Sequence, residues 1–342
     1  MNAFFKRIVA GAFALSACTA FALPFSNMFV FGDSLSDTGN VTAVTGGLIP
    51  GAPYFQGSAS NGPLYVDVLA QGLGLGLTPS RVDSNNDGAA DGNNFAYGGA
   101  RTRTYPFPFD GRSLLGQLQE YQARGLAADP NALYVVFGGA NNIQDALRNA
   151  GQALQAGEDP ALVIAAAQAA IIQAVGDIQF ILLALDQLGA ENFLVPNLPN
   201  VGLIPRIREL NNPALAQLGA QLGIAFNAGV DQFLNAFGQD HDVTRLDVFA
   251  LLNERVADPG AFGLTNVKER CYTGDDITFT GGGTICPNPD EYLFWDGIHP
   301  TAGIHRALGL AALAAVVPEP GTFLLLLIGI VAFWSRVQRA SA

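Results

Sequence analysis

Short apolar runs ended by Gly, Asp or Pro recur along this chain, and longer segments of helical composition separate them. The runs "NMFVFGD" (27–33), "ALYVVFGG" (132–139) and "ENFLVPNLP" (191–199) are brief and rich in β-branched or aromatic residues, so each reads as a buried strand. The Ala-, Ile-, Leu- and Gln-rich segment 160–189 lies between the last two. Pro160 suits its first helical turn and Gly189 its C-terminal cap. A second helix is predicted over 213–237, a further strand over "DVTRLDVFAL" (242–251) and a closing helix over 301–316. Strands alternating with helices imply an α/β fold, a parallel sheet covered by helices on both faces. Ligands in such sheets sit beyond the carboxyl ends of the strands. No linker or repeat interrupts the pattern, so residues 23–317 are read as one domain.

Both ends read as processing segments. At the N-terminus Lys6 and Arg7 precede the apolar run "IVAGAFALSA", and "AFA" ends at Ala22 as a small-x-small cleavage site, so residues 1–22 read as a secretory signal. The alternative "LSAC" resembles a lipobox and would make Cys18 a lipidated N-terminus. If Cys18 leaves with the signal, Cys271 and Cys286 remain as an even pair, and an oxidising compartment favours a disulfide between them. At the other end thirteen uncharged residues, from Thr322 to Trp334, are followed by Arg336 and Arg339. That run is shorter than the roughly 20 residues that span a bilayer comfortably. The basic end would face the cytoplasm and leave the body outside. With Pro318-Glu319-Pro320 ahead of it, the segment 318–342 resembles a PEP-CTERM sorting tail. That resemblance implies an exosortase-type processing partner and delivery to the cell surface or extracellular matrix of a Gram-negative bacterium. A plain C-terminal membrane anchor is the other reading.

The formal net charge is −12, and removing both ends leaves the body more acidic still. A body of that charge is poorly suited to nucleic acid and gains nothing from anionic lipid, so the membrane enters only through the C-terminal segment.

The candidate chemistry starts at "FGDSLSDTGN", which follows the first strand and carries Ser34. A hydroxyl nucleophile needs a base, a group that orients the base, and donors for the oxyanion. Of three histidines, His241 lies in a polar approach to a strand and reads as a solvated loop residue, and His305 lies inside the last helix. His299, in "FWDGIHPT", has Asp296 three residues ahead, a spacing that lets a carboxylate fold back onto one ring nitrogen. "NNFAYGGA" places paired glycines at 98 and 99, and Gly99 can bring a backbone N–H close to an oxyanion because no Cβ interferes. "VVFGGANN" ends a strand with Gly-x-Asn, and Asn141 can offer a side-chain amide to the same oxygen.

These four blocks resemble the SGNH or GDSL hydrolase family, and "GDSLSDTGN", "NFAYGGA" and "FWDGIHPT" look most like its secreted lipase, phospholipase and esterase branch. The resemblance implies a three-layer αβα sandwich with a central parallel sheet, flavodoxin-like in outline. It implies Ser34 as nucleophile, His299 and Asp296 as base and orienter, and the Ser34 amide, Gly99 and Asn141 as oxyanion donors. Asn142 stands where many members have Asp. No cofactor is expected, and the partner expected is an ester substrate, lipid or acylated glycan. A deacetylase of exopolysaccharide is a rival within enzymes, and a non-catalytic carbohydrate-binding or structural matrix protein is a rival outside them.

Two further segments are ambiguous. Asp83, Asn85, Asp87 and Asp91 are spaced like the first, third, fifth and ninth ligands of a calcium loop, with Gly88 at the bend. The twelfth position is Asn94 where a bidentate Glu is expected, and a polar connecting loop is the competing reading. "RTRTYPFPFDGR" (101–112) can line an acyl or sugar pocket or simply pack as a loop.

Overall fold

The structure, a computed structural model, describes residues 24–83, 88–104, 112–125 and 127–317. The proposed signal and tail, Asn85 and Asp87 of the calcium-like loop, and residues 105–111 of the aromatic segment lie outside the described residues.

Four strands, β1 (Met28–Gly32), β2 (Leu133–Phe137), β3 (Asn192–Pro196) and β4 (Asp242–Leu246), form a parallel sheet in the order β1-β2-β3-β4. β2 is buried throughout and β1 and β3 nearly so, which explains why their sequences are continuous apolar runs rather than alternating ones. The helices are α1 (Asn40–Val44), α2 (Tyr65–Leu73), α3 (Leu114–Ala123), α4 (Ala140–Gln155), α5 (Pro160–Gln187), α6 (Pro205–Arg208), α7 (Pro213–Phe237), α8 (Val248–Ala257) and α9 (Ala302–Val316). α2 packs on α9, and α4, α5 and α7 pack on one another; the two groups flank the sheet and share one core with it. A small parallel pair, β5 (Asn266–Arg270) and β6 (Tyr292–Phe294), stands apart from the main sheet.

The long helices start and stop as their sequences dictate. α5 opens with Pro160 in its first turn, capped by the Asp159 side chain, which accepts the Ala161 N–H; α7 opens with Pro213, capped in the same way by Asn212. α5 is long and apolar enough to cross a membrane by length and composition, but Val163, Ala167, Ile171, Ala174, Ile178 and Ile181 are buried along one side of it as a layer of the core.

One predicted strand is too long. The run 242–251 divides after Leu246, because the Asp247 carboxylate accepts the Ala250 N–H and so begins α8.

Segment 93–97 runs beside β1: Val30 N–H donates to Asn93 O, Phe95 N–H to Val30 O and Tyr97 N–H to Gly32 O. This extension carries Gly98 and Gly99 past the end of β1, next to the turn that holds Ser34.

Candidate active site

Ser34 stands two residues beyond β1, in a turn closed by Asp33. The Asp33 carbonyl accepts the N–H groups of Ser36 and Asp37, and its carboxylate accepts the Leu35 N–H at 3.1 Å. Gln117 of α3 fixes the strand end below the turn: its side-chain oxygen accepts the Gly32 N–H and its amide donates to the Gly32 carbonyl, both at 2.8 Å. Asp37 then collects four N–H groups, those of Gly39, Asn40 and Val41 at the start of α1 and that of Gly98. Asn40 ties the turn to segment 94–96 and to Ser80 and Arg81.

His299 and Asp296 follow β6. The Asp296 Oδ1 accepts the N–H groups of Ile298 and His299 at 2.8 and 2.7 Å, which folds the Asp-x-x-His stretch into a tight turn. Oδ2 faces the His299 Nδ1 at 2.7 Å, and the His299 Nε2 lies 2.9 Å from the Ser34 Oγ. Asp296 is fully buried and His299 nearly so. Burial pushes the Asp296 carboxyl up, but the His299 ring and the hydrogen bonds it receives outweigh this and hold it below the ordinary carboxylate range.

Gly99 adopts φ +79°, in the left-handed region that favours glycine. The Gly98 N–H is given to Asp37 Oδ2 at 2.8 Å, whereas the N–H groups of Gly99 and Ser34 have no protein acceptor among the described residues. Asn141, in the first turn of α4, donates from Nδ2 to the Ala100 carbonyl at 3.0 Å, which places its amide beside Gly99 and leaves a second Nδ2 hydrogen. Asn142 pairs with Thr102 through both ends of its amide, so it braces the loop after Gly99. Arg101 is held by Asp145 through two 2.7 Å bonds and donates to the Gly99 carbonyl.

Three residues that sequence reasoning passed over support this arrangement. Tyr54 donates its phenol to Asp296 Oδ2 at 2.8 Å. Asp276 accepts the Gly297 N–H at 2.7 Å and pairs with Arg206 and Arg270. Gln117 is the third. Their partners lie 242, 21 and 85 residues away, beyond the reach of any local motif.

His305 is fully buried in α9, where its Nδ1 accepts the Tyr65 N–H at 3.3 Å, and burial pushes it down to about 3, so it stays neutral. His241 is not the solvated loop residue expected: its ring stacks on Phe237 at 4.1 Å and bonds Asp186 and the Phe237 carbonyl. Cys271 and Cys286 are joined, with Cα atoms 4.8 Å apart. In the calcium-like loop the Asp83 side chain accepts the Gly88 N–H. Asn94, its twelfth position, points elsewhere: it is buried and donates to the Ser36 carbonyl and Thr38 hydroxyl in the Ser34 turn.

An apolar crevice opens from Ser34 and Asn141, walled by Leu35, Val201, Ile204, Leu252, Leu293 and Ile298. Asp33 also borders it. Burial pushes that carboxyl up to about 6, against the Leu35 N–H and the nearby His299 and Arg101.

The profile of the family described as GDSL-like lipase/acylhydrolase matches residues 28–312, which runs from the start of β1 into α9. The chain belongs to this family. Among similar proteins, the esterase EstA of Pseudomonas aeruginosa is 31% identical over 335 residues, covering 86% of this chain and 48% of its own length. The chain thus spans about half the length of that relative. A GDSL esterase/lipase of Arabidopsis thaliana is 28% identical, covering 84% of this chain and 81% of its own. A solved structure of a lipolytic G-D-S-L family protein from Veillonella parvula covers 84% of this chain and 96% of its own at 12% identity, with a TM-score of 0.38.

Proposed function

We propose that this chain is an exported serine ester hydrolase that cleaves carboxylic acyl esters through a covalent Ser34 intermediate. The observation that carries the reading is the line from Asp296 Oδ2 through the His299 ring to the Ser34 Oγ, with both ring nitrogens engaged at 2.7 and 2.9 Å. His299 takes the Ser34 proton as the oxygen attacks the ester carbonyl, and Asp296 holds the ring and offsets its charge. The N–H groups of Ser34 and Gly99 and the free Nδ2 hydrogen of Asn141 receive the oxyanion. His299 then returns the proton to the leaving alcohol, and water, activated by the same ring, hydrolyses the acyl-enzyme. Family membership and the names of the esterase relatives support this chemistry.

The crevice favours an acyl tail over an acetyl group. Its lining is largely aliphatic, and burying a further methylene of an acyl chain there gains about 0.8 kcal/mol. Export is supported by the N-terminal signal pattern over 1–22 and by the Pro-Glu-Pro, apolar and basic order of residues 318–342. That order also favours an exosortase-type partner and delivery to the cell surface or matrix.

A fluorophosphonate probe tests the reading directly. We expect a single adduct on Ser34 and none in Ser34→Ala, with Asn141→Ala slowed on the order of 10²-fold. A folded protein that takes no adduct would favour the non-catalytic matrix role. Across p-nitrophenyl acetate, butyrate, octanoate and palmitate, kcat/KM is expected to rise beyond acetate. Faster release of acetate from acetylated glycan than of any longer acyl group would favour the deacetylase.

A further inference from the structure

We propose that Tyr54 is a positioning residue for the Asp296–His299 pair, its phenol holding the carboxylate and moderating how strongly that carboxylate draws a proton onto His299. The proposal rests on the reading of Ser34 and His299 given above. The Tyr54 hydroxyl donates to Asp296 Oδ2 at 2.8 Å, and the same oxygen faces the His299 Nδ1 at 2.7 Å. Oδ1 takes the N–H groups of Ile298 and His299. Four donors therefore converge on one buried carboxylate, and Tyr54 is the one that comes from outside its turn.

The phenol is held in place by a small core of its own. Tyr54 packs edge-on against Tyr272, Phe279 and Trp295, with ring centroids 5.6, 5.0 and 6.3 Å away. This cluster is separate from the main core and includes the Cys271–Cys286 bridge; Trp295 directly precedes Asp296. Burial, and then the negative charge of Asp296, push the phenol far above its ordinary range, so it is a permanent donor. Tyr54 is not among the side chains that line the crevice beside Ser34.

A donor on Oδ2 withdraws charge from the oxygen that faces the imidazole. Without it, Oδ2 carries more negative charge and favours the imidazolium, so the ring takes its proton at higher pH. The other charged groups nearby act on the pair only at a distance. Asp33 faces His299 from the end of β1, and Arg101 is bound by Asp145. Asp276 is paired with Arg206 and Arg270, Tyr272 stacks on Trp295, and neutral His305 lies in α9. None of these bonds Oδ2.

Tyr54→Phe keeps the ring and its packing and removes only the hydroxyl. The test is an NMR titration of the histidine rings, with the three histidines assigned through His241 and His305 variants. The His299 midpoint in Y54F is expected to lie above that of the wild type. The acid limb of kcat/KM should follow, with kcat lower on the order of tenfold and KM unchanged. In an Asp296→Asn background the same substitution should leave the midpoint alone. Site-specific 3-fluorotyrosine at position 54, a stronger donor of nearly the same shape, should move it the other way. A His299 midpoint unmoved in Y54F, or a shift that persists with Asp296 replaced, overturns the proposal. Since the titration needs no substrate, a shifted midpoint in a protein that hydrolyses no ester would sink the hydrolase reading and leave this one standing.

Discussion

Asp33 precedes the Ser34 nucleophile proposed here, and its carboxyl is buried and held at about 6, against an ordinary value of 3.8. A carboxyl raised in the folded state makes the native protein bind protons that the unfolded chain has released. Stability therefore falls as pH climbs from about 4 to 6, and the deficit is complete above that window. Asp33→Asn, which can still accept the Leu35 N–H, should remove the deficit. We expect it to be more stable than wild type by about 2–3 kcal/mol at pH 7.5 and equal to it at pH 3.5, read from urea unfolding at the two values. At this scale the sequence was informative wherever a role is written in a local block. Ser34, Gly99, Asn141, Asp296 and His299 each sit in a short motif, and the structure brings all five to one place. Tyr54 carries no such mark: a tyrosine between prolines and glycines has no period and no spacing that points to a carboxylate in the last part of the chain.

The loop closed by Cys271 and Cys286 behaves as a clamp on the Asp296–His299 turn. Cys271 N–H donates to the Phe294 carbonyl, Tyr272 N–H to the Trp295 carbonyl, and Asp276 receives the Gly297 N–H. The bridge spans 15 residues, and a closed loop of that size is worth about 3 kcal/mol. A Cys271→Ser, Cys286→Ser protein should lose about that much in urea unfolding, and its kcat should drop more than its KM rises, because the clamp bears on His299 and not on the crevice. An even pair of cysteines, left once the expected signal segment is set aside, made the bridge legible, yet nothing in the sequence joined the loop to the histidine turn. The first three strands and the three helices α5, α7 and α9 were legible from apolar runs and from Pro160, Pro213 and Gly189, whereas the other helices carried no comparable signal. The run 242–251 misled because "DVFAL" has a buried strand's composition, and the deciding signal was the capping Asp247.

Across the whole molecule, the groups assigned to one reaction come from opposite ends of the chain: Ser34 and His299 are 265 residues apart, and Tyr54 and Asp296 are 242 apart. Synthesis runs from the nucleophile towards its base. A nascent chain that has emerged as far as Pro289 carries the residues of the Ser34 turn and all four strands of the main sheet, but neither β6 nor the histidine that would activate the hydroxyl. A chain ended after Pro289 should therefore take no fluorophosphonate adduct under conditions that label the full chain within minutes. The order of residues acts as a built-in delay: the proposed site is completed only when the last part of the chain has folded back against the first.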